Sequence, residues 1–187
     1  VIVDSGGANL TSIKNAFEKI SSQAVVSIDE NIISNADYVI LPGVGSAQMV
    51  MQSLISNNLV NVIKSLTQPV LGICVGMQIL FNSSEEQNCK CLGLINDDIK
   101  KFNLPKDKAV PHMGWNKVIF ESEQLLSNYY YFANSYYAPI TKDTTGICEY
   151  GIEFSATVQK DNFFGCQFHP EKSSNSGIKF IQNFLNY

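Results

Sequence analysis

Cys74 closes a short apolar run, Pro69-Val70-Leu71-Gly72-Ile73, and glycines two residues to either side give a Gly-x-Cys-x-Gly pattern. This is the pattern of a sharp strand-to-helix turn that lifts one side chain clear of a sheet, with glycines relieving the crowding beneath it. The backbone N–H groups and partial positive charge at the start of the following helix would favour thiolate over thiol. Taken alone, the pattern leaves a nucleophile and a buried structural cysteine as even alternatives. The chain holds two histidines. His169 ends the apolar run at residues 163–168 and stands two residues before Glu171, with Pro170 fixing the backbone between them. A carboxylate there could orient the imidazole and hold its tautomer, while the imidazole activates Cys74. His112, between Pro111 and Met113, reads as structural or surface. A further turn, Pro42-Gly43-Val44-Gly45-Ser46, can hold N–H groups convergent on an oxyanion, although the same residues also make an ordinary tight turn.

The elements that must position these groups follow from hydrophobic spacing. Strands are expected at residues 1–3, 24–28, 38–41 and 69–74. Helical spacing appears at residues 13–20, 49–55 and 59–66, and again at 77–81 behind Cys74. Strand and helix alternate through the first 80 or so residues, which argues for a parallel sheet with helices on both faces. In such sheets the working groups lie at the carboxyl ends of strands, where the 42–46 turn and Cys74 fall. From about residue 95 onward, shorter apolar runs and more frequent turn residues suggest strands and loops that are partly antiparallel. The run 163–168 is another core strand, and a closing helix carries Ile178, Ile181 and Leu185. One domain over 1–187 is expected.

Composition narrows the function classes. With 45% hydrophobic and 16% charged residues and a net charge of −4, the chain is a well-packed globular protein without the basic patch of a nucleic-acid binder. Five cysteines, an odd number in a chain of 187 residues, suit a reducing compartment better than a disulfide framework. Cys89-Lys90-Cys91 has the wrong spacing for a zinc knuckle, and two distant histidines do not make a three-ligand site, so no metal is expected. The opening strand and Gly6-Gly7 turn lack the spaced glycine triplet of a dinucleotide site, so no cofactor is expected either. No leader or membrane-spanning stretch is read, and a cytoplasmic location is expected.

Four segments together resemble the class I glutamine amidotransferases: Leu41-Pro42-Gly43-Val44-Gly45, Gly72-Ile73-Cys74-Val75-Gly76-Met77-Gln78, Pro111-His112-Met113-Gly114-Trp115-Asn116 and Gln167-Phe168-His169-Pro170-Glu171-Lys172-Ser173. The third of these, with residues 4–10 and Tyr131-Phe132-Ala133-Asn134-Ser135-Tyr136-Tyr137, resembles in particular the glutaminase subunits of imidazole glycerol phosphate synthases. The resemblance runs nearly end to end and implies a three-layer α/β fold, its mostly parallel central sheet carrying an antiparallel extension in the second half.

The resemblance also implies roles: Cys74 as nucleophile, His169 as base and acid, Glu171 as its orienter. Gly43, Val44 and Val75 would supply the oxyanion hole, the Gly43-Val44 loop turning its amide inward when a partner engages. Gly45, Gln78, Ser135 and Tyr136 would hold L-glutamine. The implied partner is a (β/α)8-barrel cyclase in a heterodimer. It would receive ammonia and make imidazole glycerol phosphate and an aminoimidazole carboxamide ribonucleotide in histidine biosynthesis. Trp115 and Lys172 match positions near that interface, though Trp115 could also be a core aromatic. Asn134 stands where the family usually has histidine. This keeps open a paralogue that feeds ammonia to a nucleotide-sugar or surface-polysaccharide synthase. The readings from other classes are a Cys-His peptidase or a non-catalytic scaffold subunit.

Overall fold

The computed structural model describes residues 1–6, 9–20, 23–120 and 127–187; Gly7 of the expected glycine turn lies outside them. Among the described residues nine strands make the main sheet: β1 (Ile2–Val3), β2 (Val26–Ser27), β3 (Val39–Leu41), β4 (Val70–Ile73), β8 (His112–Phe120), β9 (Asn128–Asn134), β11 (Thr144–Glu149), β12 (Glu153–Lys160) and β13 (Phe163–Cys166). A second sheet holds β5 (Phe81–Ser84), β6 (Cys89–Lys90), β7 (Ile95–Lys101) and β10 (Tyr136–Tyr137). The helices are α1 (Leu10–Glu18), α2 (Glu30–Ser34), α3 (Ala47–Ser56), α4 (Leu59–Ser65), α5 (Val75–Gln78) and α6 (Ser174–Phe184).

The main sheet runs β2-β1-β3-β4-β13-β12-β11-β8-β9. Its first five strands pair in parallel and every later pair is antiparallel, so the extension foreseen in the second half adds four strands to the five parallel ones. The alternation of strands and helices explains the parallel half, because a parallel neighbour requires a crossover connection. β3, β4 and β13 are in step: Leu41 lies opposite Gly72 and Cys166 opposite Ile73. The three segments that leave their carboxyl ends, beginning at Pro42, Cys74 and Gln167, therefore emerge side by side. The strand order also reverses between β1 and β3, and Ser5 after β1 donates its hydroxyl to the carbonyl of Pro42 at 3.0 Å.

Several expected elements change in detail. The helix after Cys74 is one turn long and ends at Gln78; Phe81, expected on that helix, instead begins β5. Phe81 is fully buried, and a lone apolar cluster does not distinguish a buried helix from a buried strand. Only Val26–Ser27 of the expected second strand pairs, at the sheet edge, and Val25, Val26 and Ile28 are exposed. In α3 the core face is Ala47, Val50, Met51 and Leu54, while Met49 and Ile55 face solvent. In α6 it is Gly177, Phe180, Ile181 and Phe184 that are buried, and Ile178 is exposed.

An aromatic core ties the antiparallel strands together. Phe132, Phe154 and Phe168 are fully buried, and Phe132 meets the other two edge-on at 5.8 and 5.9 Å, geometry that adds about 1 kcal/mol per pair beyond area burial. His112 belongs to this core, with no place in the cleft described below. It is buried and stacked between Tyr150 at 3.9 Å and Phe132 at 4.8 Å. Burial, aided by the charge of Lys108, pushes its pKa down to about 4. Its Nδ1 has no hydrogen-bond partner among the described residues, so a second proton would find no acceptor there.

A stability prediction follows. Between pH 6.5 and about 4 the unfolded chain binds the proton that the folded chain refuses, so stability falls as pH drops through that window. The free energy lost across it is on the order of 3 kcal/mol. Urea denaturation of the parent and of His112→Phe at pH 7 and pH 4 should show the variant losing less stability in acid. Equal losses would contradict the assignment.

Candidate active site

Cys74 follows β4 directly, and its backbone takes φ 55° and ψ −110°, a conformation that costs a non-glycine residue about 1–3 kcal/mol. Backbone hydrogen bonds hold it there. The Cys74 N–H donates to the carbonyl of Cys166 at 2.8 Å, and the Cys74 carbonyl accepts from the N–H groups of Met77 and Gln78, each at 3.1 Å. Among the described residues, no acceptor claims the N–H of Val75. Three glycines permit this packing. A Cβ on Gly76 would collide with the Leu41 carbonyl, one on Gly72 with the Gly76 carbonyl, and one on Gly43 with the Gly76 nitrogen. Elbow and 42–46 turn are thus packed backbone on backbone. Because α5 has a single turn, the helix charge expected to act on Cys74 is small. Side chains must do most of that work.

His169 is 4% exposed. Its N–H donates to the Tyr131 carbonyl at 2.9 Å, and its carbonyl accepts from the Ser173 hydroxyl at 2.7 Å. Ser173 in turn accepts from the Tyr131 N–H at 2.9 Å. The loop after β13 is therefore clamped to β9. The imidazole lines the same cleft as the Cys74 thiol, and its Nδ1 lies 2.9 Å from Glu171 Oε1. Burial alone would lower the His169 pKa. The hydrogen bonds and charges of Cys74 and Glu171 outweigh it and lift the value to about 10. Glu171 is almost fully buried behind the ring, and its Oε1 also accepts from Asn9 Nδ2 at 2.6 Å. The imidazole is therefore a strong proton holder placed between a thiol and a fixed carboxylate, the arrangement required to activate a cysteine and protonate a leaving group.

These groups open onto a cleft of about 330 Å³, at the small end of ligand pockets. It is lined by Gly43, Val44 and Gly45 of the turn after β3, by Cys74, Val75 and Gln78 of the elbow, by His169 and Lys172 after β13, by Asn134, Ser135 and Tyr136, and by Glu86. Gln78 Nε2 donates to the Tyr136 carbonyl at 3.1 Å and to Gln167 Oε1 at 2.8 Å. Asn134 Nδ2 donates to the same carbonyl at 2.9 Å. Gln167 Nε2 lies 3.7 Å from Cys74 Sγ. Glu86 accepts from the Ala47 N–H at the start of α3, at 2.8 Å, and gives the cleft a carboxylate able to meet an ammonium group.

Residues 1–186 match the family model for class-I glutamine amidotransferases. The chain belongs to the class-I glutamine amidotransferase family. It is 46% identical over 195 residues to the imidazole glycerol phosphate synthase subunit HisH of Shewanella sediminis, covering 99% of this chain and 89% of that one. It is 45% identical over 195 residues to the HisH subunit of Escherichia coli, covering 99% and 97%. Among solved structures, a glutamine amidotransferase superposes with a TM-score of 0.78 over 100% of this chain and 97% of its own, at 14% identity. A glutamine amidotransferase from Thermotoga maritima gives 0.63 over 100% and 83%, at 15% identity. These two likenesses agree on the fold.

Within this amidotransferase, the residues given site roles from the sequence all line this cleft except Glu171 and Trp115. Glu171 stands behind His169, as an orienting carboxylate must. Trp115 is 52% exposed on the outer face of β8, which removes the alternative of a core aromatic. Its ring meets Tyr131 edge-on, and Lys172 at the cleft edge lies 5.9 Å from the same Tyr131 ring. Asn9, Glu86 and Gln167 were not singled out. Asn9 follows a glycine turn and precedes a helix, and Gln167 is a polar residue at the end of an apolar strand; both carry a visible signal. Glu86 carries none, because a short turn with an acidic residue is common on any surface.

Proposed function

We propose that this amidotransferase is the glutamine-hydrolysing subunit of an imidazole glycerol phosphate synthase, supplying ammonia for histidine biosynthesis. The observation that carries the hydrolytic reading is the strained Cys74 sharing one cleft with His169, itself held by Glu171 at 2.9 Å. The choice of pathway follows the HisH relatives, which match over nearly the full length of both chains.

In this mechanism L-glutamine lies in the cleft with its side-chain carbonyl above Cys74. His169 holds the thiol proton, and the sulphur attacks the amide carbon. The carbonyl oxygen becomes an oxyanion that accepts from the Val75 N–H and from the Gly43-Val44 loop, each donor worth about 3 kcal/mol. His169 then gives its proton to the leaving nitrogen. The C–N bond breaks, ammonia departs and a glutamyl thioester remains on Cys74. Water enters, gives a proton to His169 and attacks the thioester; collapse releases glutamate and restores the thiol. Glu171 keeps Nδ1 protonated throughout. Gly45, Ser135, Tyr136 and the free Oε1 of Gln78 hold the amino-acid end, with Glu86 facing its ammonium.

The partner is a (β/α)8-barrel cyclase, docked where the cleft meets the outer face of β8 and β9 in a heterodimer. Met113, Trp115, Ile119 and Tyr129 are all exposed on that face, and alternation along paired strands puts them on one surface. An exposed tryptophan amid apolar neighbours is a typical binding anchor. The described helices include none long and apolar enough to cross a membrane, and five free thiols suit the cytoplasm.

Purified chain mixed with the cyclase and its nucleotide substrate should hydrolyse glutamine much faster than the chain alone. Trp115→Ala should weaken the complex by about 2 kcal/mol, roughly 30-fold in Kd, with the fold of the isolated chain unchanged. No rise in turnover with the cyclase would overturn the pathway and favour an ammonia-supplying paralogue.

A further inference from the structure

We propose that Gln167 stabilises the sulphur of Cys74 as a hydrogen-bond donor, and that Gln78 is the positioning residue that fixes the direction of this donor. The proposal rests on Cys74 being the nucleophile.

Direction in this chain of amides is set from its far end. The Tyr136 carbonyl can only accept, so the end of the Gln78 amide that lies 3.1 Å from it must be Nε2. The same nitrogen lies 2.8 Å from the Gln167 amide. A donor must meet an acceptor there, so Gln167 turns Oε1 toward Gln78 and Nε2 toward Cys74 Sγ, 3.7 Å away. That separation is long for an oxygen acceptor but suits the larger sulphur atom. Asn134 Nδ2, 2.9 Å from the Tyr136 carbonyl, fills the other acceptor position and anchors the chain further. Reversing either glutamine would set two acceptors or two donors face to face.

Burial makes this arrangement costly to leave unused. Gln167 is fully buried and Gln78 is 3% exposed. A buried amide whose N–H has no partner carries a desolvation penalty, and Cys74 Sγ is the partner on hand for Gln167. An N–H aimed at sulphur stabilises a thiolate more than a thiol, since the charged acceptor makes the stronger bond. With only one turn of helix behind it, Cys74 has in Gln167 a side-chain donor within reach of its sulphur. Gln78 therefore does two things at once: it lines the cleft, and it commits both N–H groups to the relay. Only its Oε1 is left for the substrate.

The test is the pH profile of Cys74 alkylation by iodoacetamide, followed by mass spectrometry of the peptide that contains Cys74, on the intact chain with Cys74→Ala as the site control. Gln167→Met keeps the length and volume of the side chain but removes the donor. It should move the midpoint of the profile up by about one pH unit and slow alkylation at neutral pH roughly tenfold. Gln78→Met leaves Gln167 in place and adds no charge, but removes the donor that holds Gln167 Oε1, so Gln167 no longer has its own Nε2 fixed on the sulphur. The midpoint should move in the same direction. The double variant should shift no further than Gln167→Met alone, because both act through one contact.

An unmoved midpoint in folded Gln167→Met overturns the proposal. If that variant fails to fold, an unmoved midpoint in Gln78→Met overturns it instead. A parent whose Cys74 resists alkylation at every pH refutes the nucleophile and the relay together. A reactive Cys74 with unmoved midpoints refutes the relay alone.

Discussion

Cys74→Ala is expected to abolish glutamine hydrolysis, with a loss on the order of 10⁶-fold even when the partner is bound, comparable to removal of the nucleophile in other covalent hydrolases. The substitution deletes one atom. Alanine meets the same backbone constraint at φ 55° as cysteine does, and the bonds that hold the turn, to Cys166, Met77 and Gln78, are all made by backbone. The circular dichroism spectrum and melting temperature should stay close to those of the parent, and glutamine should still bind in a cleft whose other walls are intact. A folded Cys74→Ala protein that still turns over glutamine would remove Cys74 from the chemistry. Loss of binding together with turnover would make the residue structural.

Gly76→Ala is expected to have the largest effect on stability. Its added methyl would be driven into the Leu41 carbonyl, and neither side of that contact can yield by rotating a side chain. β3 and β4 are paired in register up to Leu41 and Gly72, so relief requires separating the elbow from the 42–46 turn or breaking the ladder. Overpacking against a flexible core costs about 1–3 kcal/mol. Against rigid backbone the loss should exceed about 4 kcal/mol, equivalent to a drop of roughly 10 °C or more in Tm for a chain of this size. Thermal melts of the purified variant give the answer. A melting temperature within a few degrees of the parent would mean that the two backbones are not packed as described. Because the same contact holds the oxyanion loop against the nucleophile, a folded remnant should also be inactive.

The legibility of the site follows from where its information is stored. The elbow, the turn after β3 and the His-Pro-Glu loop could be read from the chain because each is a local device: glycines at fixed offsets, a proline between histidine and glutamate, an apolar strand just before. Their meeting was legible too, since alternating strands and helices bring carboxyl ends of parallel strands to one edge. The second sheet was not. Phe81 and Ile95 look like members of any apolar cluster, and their pairing depends on a chain that leaves α5 after a single turn. The same early exit weakens the helix-charge argument for Cys74 and gives the task to side chains. Asn9 and Glu171 are separated by 162 positions yet lie 2.6 Å apart. No spacing rule relates them. Trp115 shows the opposite limit: its identity was informative, but its exposure on the outer face of β8 is a property of the folded sheet.

The central claim is that Cys74 carries the glutamyl group between its two tetrahedral intermediates. The most direct measurement is an acid quench of the protein, with the cyclase and its nucleotide, during steady turnover of L-glutamine, followed by mass spectrometry of the peptide containing Cys74. One added glutamyl group on Cys74, absent from Cys74→Ala and removed by hydroxylamine, is the predicted result. Rapid turnover with an unmodified Cys74 and the label on another residue, or on none, would contradict the account.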